Sequence, residues 1–181
     1  MTCKKLMAAT LLWAALATPA GAFDYNQSVD EIAESPLTAY QTVYLGMPRA
    51  DFDANFSILP DWTFYGSTVS FTERAERTSV VKNVSVTEGI EIFSADTSAK
   101  GKVLAFDNYF KTTDKATAKS IYSRLVATNY SNMENFPVKQ SDKEVEWTQD
   151  DVSITVAFDG QKDAKGQYIV YIRRYNNKIL K

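Results

Sequence analysis

The apolar positions in the second half of the chain change period once, and that change predicts most of its architecture. From Ala118 they recur at Ile121, Tyr122, Leu125 and Val126, with Asn129 and Tyr130 closing the run. That is the three-and-four spacing of one helix face. Thr112, Thr113 or Asp114 can cap its start, because a side-chain oxygen there accepts an orphan backbone N–H. After Asn135, Phe136 and Pro137 the period becomes two. Val145 and Trp147 alternate with Glu144, Glu146 and Thr148; Val152, Ile154, Val156 and Phe158 alternate with Ser153, Thr155 and Ala157; Tyr168, Val170 and Ile172 alternate with Ile169, Tyr171 and Arg173. Gln149-Asp150-Asp151 is a tight connector, and Asp159-Gly160 opens a longer polar one that ends at Gly166. Connectors this short require an antiparallel meander, with one face on the helix and the other open to water or a partner.

The first half repeats the theme less cleanly. Residues 23–35 are polar and acidic and stop at Pro36, which reads as a loosely held arm with a helical turn at 30–34. A short strand is expected over 40–45. Pro48 then suits a helix's first turn, and Phe52, Phe56 and Leu59 form its inner face until Pro60. Trp62 and Phe64 sit at even positions but Val69 and Phe71 at odd ones, so a bulge or turn is expected at Gly66. Val80, Val84 and Val86, then Ile90 and Ile92, read as one long bent strand or two short ones, and 102–110 as a further strand. The pattern is helix 48–59 with strands over 62–110, then helix 114–130 with strands over 143–175. The expected fold is α+β, helices on one face of an antiparallel sheet. Its divisions are 1–22, an arm 23–39, and helix-plus-strands modules 40–111 and 112–181, which a single compact domain can also contain.

Composition sets the address. Lys4 and Lys5 precede an apolar run over 6–16, and Ala20 and Ala22 suit cleavage before Phe23. The run is too short to span about 30 Å of hydrocarbon. A cleaved signal peptide and an exported domain, periplasmic or extracellular, are expected. The single cysteine, Cys3, would leave with the signal, and the chain has no histidine. A mature chain with neither residue rules out thiolate and imidazole metal sites and the Ser-His and Cys-His nucleophile pairs. Of 20 Lys and Arg, two would leave with the signal, while all 22 Asp and Glu stay. That acidic balance argues against a nucleic-acid partner.

Few residues suggest chemistry. Asp51, Asp53 and Asn55 open like a calcium loop, but Phe56 stands where glycine is needed and Trp62 where glutamate is needed, leaving a solvated helix face. Glu144 and Glu146 with Asp150 and Asp151 would suit carboxylate hydrolysis only with one carboxyl in an apolar pocket. Lys162, Asp163 and Lys165 form a charged loop tip. Asn26, Asn55, Asn83 and Asn129 head glycosylation tripeptides in what reads as a bacterial chain, so chance accounts for them. No catalytic residue, cofactor or metal is expected. Tyr168, Tyr171, Arg173 and Tyr175 are the candidate partner-binding set, since Tyr and Arg dominate binding hot spots.

Tyr44-Leu45-Gly46-Met47-Pro48, followed by Phe52 and Phe56, resembles the small outer-membrane-assembly lipoproteins, the E subunit of the barrel-assembly machine. The doubled layout is similar to the beta-lactamase inhibitory proteins, which carry two such modules in tandem. The chain lacks a lipid-acceptor cysteine at the signal's end and the cysteines of the tandem inhibitors. The resemblance implies a protein-binding scaffold with a concave sheet and carries over no site residue. The expected function is non-catalytic binding of a protein or envelope component through a sheet face. A small-ligand carrier with an aromatic pocket is the alternative, and a carboxylate hydrolase stands behind both.

Overall fold

Strand-forming residues dominate the middle of the chain, and they pair into one large sheet. The computed structural model describes residues 23–34, 37–81, 83–133 and 135–178. The signal expected over 1–22 lies outside these residues, as does Pro36, the expected end of the arm. The elements in chain order are α1 (Tyr25–Glu34), β1 (Thr38–Ala39), β2 (Val43–Tyr44), α2 (Arg49–Phe56), β3 (Thr63–Tyr65), β4 (Thr72–Val81), β5 (Val84–Ser94), β6 (Val103–Thr112), α3 (Lys115–Asn132), β7 (Lys139–Gln140), β8 (Glu144–Gln149), β9 (Val152–Ala157) and β10 (Tyr168–Asn176). The fold is α+β, with helices packed on an antiparallel sheet.

The sheet has eight strands in the order β3-β4-β5-β6-β10-β9-β8-β7. Each half is therefore a helix followed by a four-stranded meander, and the halves join where β6 pairs with β10. Helix α3 starts where Asp114 accepts a hydrogen bond from the Thr117 N–H at 2.7 Å. It buries Ala118, Ile121, Leu125 and Asn129, the face its periodicity selects. On the sheet, Val170, Ile172, Phe110, Val145, Trp147, Ile154 and Val156 meet that face in the larger of two core clusters. The smaller cluster joins Phe52 and Phe56 of α2 to Ala75, Ile90, Ile92 and Phe106. Leu59, expected on the same inner face, lies beyond the end of α2 and is exposed.

Three local expectations need correction. The N-terminal arm is a helix, α1, whose Val29, Ile32 and Ala33 are fully buried in the larger core. Their i, i+3, i+4 spacing is a helix stripe that the surrounding acids obscure. Arg124 of α3 clasps Asp30 through both carboxylate oxygens, and Asn132 donates to the Ala33 carbonyl at 2.6 Å. The strand expected over 40–45 is a hairpin, β1 and β2, turning at Tyr40 and Gln41, both at positive φ. The run from Val80 to Val86 crosses a second hairpin at Asn83, whose φ of 66° is the left-handed conformation such turns need. Pairing there matches even residues with odd ones, so Val80 and Val86 face opposite sides. Val80 is 69% exposed and Val86 is buried.

Candidate functional site

The pleat that sends Val170, Ile172 and Arg174 toward the helices sends Ile169, Tyr171, Arg173 and Tyr175 to the other side, which no helix among the described residues covers. Tyr171, Arg173 and Tyr175 thus share one face. Tyr168 does not: its parity places it with the helices, where its ring packs edge-on to Phe158. The candidate binding set loses that member.

Register builds the open face in rows across the strands. One row runs Arg74, Glu91, Asp107, Arg173, Thr155, Glu146, Lys139. Beside it run Gly89, Tyr109, Tyr171, Ala157, Glu144 on one flank and Phe93, Ala105, Tyr175, Ser153, Thr148 on the other. Ala105, Ser153, Thr155 and Ala157 are buried although no helix among the described residues lies over them. Small floor residues below long neighbours make the face a trough. One hollow of about 600 Å³ is walled by Phe93, Tyr171, Arg173 and Tyr175 above Ala105 and Thr155. A second of about 480 Å³ extends toward the 159–163 loop, and a third of about 190 Å³ lies over Glu91 and Asp107. Tyr171 borders all three.

The trough is held by polar contacts. Arg173 grips Asp107 with both ends of its fork, Nε to Oδ1 at 2.7 Å and Nη2 to Oδ2 at 2.5 Å. That bond, against the opposing effect of burial, raises the guanidinium's affinity for its proton. Arg173 is consequently a structural clamp as well as a surface group. Tyr109 lies flat across Gly89, its ring where a Cβ would be, and its hydroxyl donates to Glu76 at 2.6 Å. Burial and that bond push the phenol's pKa up. Burial opposes ionisation of Glu76, but donors from Tyr109 and Lys111 outweigh it and keep its pKa below the usual range. Tyr175 donates to Glu146 at 3.2 Å, and Lys139 to Glu144 at 3.1 Å.

No family model, curated protein or solved structure matches this chain. The trough's chemistry is therefore read from its own side chains. Glu144 and Glu146 both face it, while Asp150 and Asp151 stand exposed at the β8–β9 turn, where Lys178 holds Asp151 at 2.7 Å. Among the described residues, no group of three or more His, Cys, Asp and Glu is placed to hold a metal ion. Asp53 is not on a solvated helix face. It turns toward Glu73, and burial together with that carboxyl pushes its pKa up to about 7. Glu73 is clamped by the buried Arg49 at 2.6 Å.

Sequence reasoning missed Phe93, Tyr109, Glu91 and Asp107, on the β5 and β6 side of the trough. Their strands were legible; that they share a face with Tyr171 and Arg173 was not, because the pairing of β6 with β10 is not local. A second aromatic group, Tyr40, Phe56 and Trp62, borders a hollow of about 330 Å³. Arg77 already occupies the Trp62 ring face, 4.7 Å from its centroid, and is anchored by Glu88 at 2.7 Å.

Proposed function

We propose that this chain is an exported, non-catalytic binding module that grips a protein or cell-envelope component in the trough of its sheet. The carrying observation is the sheet face that no helix among the described residues covers, with Phe93, Tyr171 and Tyr175 standing over small floor residues and Tyr171 bordering three adjoining hollows. Large rings on a rigid sheet lose little entropy when they bury a partner's side chains. The helix-then-meander order run twice supports grouping the chain with the tandem-module scaffolds. The lysine-led apolar start and small residues before Phe23 support export.

Tyr171 is the residue to change, because it is half-buried and its hydroxyl makes no hydrogen bond among the described residues, whereas removing Arg173 strands the buried Asp107. Tyr171→Ala is expected to weaken a partner captured from the envelope fraction by tenfold or more, about 1.4 kcal/mol or above. Lys119→Ala, exposed on α3, leaves binding unchanged. Equal affinity of wild type and Tyr171→Ala, measured by titration calorimetry, would remove the trough as the binding surface.

A further inference from the structure

The charges of the trough are mismatched in one place. Glu91 on β5 stands directly opposite Arg74 on one side and Asp107 on the other. Like charges facing each other across strands are destabilising unless something relieves them. Asp107 is relieved by Arg173, which takes both of its oxygens. Arg74 turns away, its guanidinium 4.6 Å from the Tyr65 ring centre and 4.0 Å from Glu76. Lys111 is held by the same Glu76 at 2.9 Å, and Lys139 by Glu144. Arg74, Arg173, Lys111 and Lys139 are thus engaged, and Glu91 accepts no hydrogen bond from the described residues. Burial, and then Asp107, push its carboxyl pKa up, against the weaker opposing pull of Arg74, Lys111 and Arg173.

Resting on the trough as the binding face, we infer that its occupant is an extended segment of a protein partner that sets an Arg or Lys side chain on Glu91 and an apolar side chain between Phe93 and Tyr175. Glu91 and Phe93 are two residues apart on one strand, roughly 7 Å. Alternate side chains of an extended peptide have the same spacing, so the recognised pattern is a basic residue, any residue, then an apolar one, in either direction. The hollow over Glu91 shares Tyr171 with the aromatic one, and Asp107 in its lining is gripped by Arg173 from the other. An incoming cation supplies the donors Glu91 lacks and relieves its repulsion with Asp107.

The test is selection of phage-displayed random twelve-residue peptides on the full mature domain, followed by titration of the selected peptides. The expected binders carry the basic-x-apolar pattern, lose about tenfold in affinity on Glu91→Gln and more on Glu91→Arg, and weaken at high salt. In the unliganded protein Glu91→Gln leaves the thermal midpoint unchanged or raises it. A clear fall would show the carboxylate already engaged within the fold, and would overturn the inference. Binders that require Tyr171 but tolerate Glu91→Gln overturn the cation and leave the trough standing. Binders indifferent to Tyr171→Ala, or a selection that yields none, overturn both.

Discussion

Replacing Arg49 by alanine is expected to cost about 3–5 kcal/mol of stability, the range for breaking a buried ion pair from one side. Arg49 and Glu73 are both almost wholly buried and meet at 2.6 Å. The guanidinium also donates to the Ser70 carbonyl at 2.6 Å and to the Ser67 carbonyl. It therefore fastens the β3–β4 connection to the first turn of α2. Alanine would leave Glu73 with the Ser67 N–H and the neighbouring Asp53, and would strand two carbonyls. Glu73→Gln placed on top should recover part of the loss, since a neutral amide tolerates burial beside Asp53. Asp53 adds a pH signature. Because its folded pKa is raised to about 7 from 3.8, the stability it contributes is full below the unfolded value and is lost as pH rises through about 7. Asp53→Asn removes that decline. Urea denaturation at several pH values reads all three variants. A loss under 1 kcal/mol for Arg49→Ala would show that the cluster does not hold the loop.

Gly89→Ala is expected to destabilise by about 2–3 kcal/mol, a large effect for one methyl group. The new Cβ would lie 2.1 Å from Cζ of Tyr109. To admit it the ring must lift from the trough floor and give up its bond to Glu76. The cause is separable from glycine's own properties by a double-mutant cycle. In a Tyr109→Ala background the clash is gone, and alanine should be neutral or favourable by roughly 0.5–1 kcal/mol, because it is less costly to order in a strand than glycine. An interaction energy near 2–3 kcal/mol is the expected result. Additive effects would mean that Tyr109 does not lie over Gly89.

How much of this was legible follows from where each signal resides. Helix α3 and strands β8, β9 and β10 were written in local periodicity, so their order and antiparallel pairing followed from short connectors. The join of β6 to β10 was not local. It brings Tyr109 beside Tyr171 across more than fifty residues of chain, and no period in either strand announces it. Helix α1 was hidden by its own acids, although Val29, Ile32 and Ala33 carried the stripe. Tyr168 was misplaced by grouping tyrosines by type rather than by parity. Arg174, next to the half-buried Arg173, is wholly buried and donates to Asn108 and to the Ile32 carbonyl, each at 2.9 Å. A sequence cannot separate two adjacent arginines until the strand's faces are assigned.

The central claim is that the trough, not the helical side, meets the partner. The direct measurement is photo-cross-linking in the source cell with p-benzoylphenylalanine in place of Phe93 in the trough, and separately in place of Ser123, exposed on α3. The expected result is a specific cross-linked protein from position 93 and none from position 123. Cross-links from position 123 with none from position 93 would contradict the account.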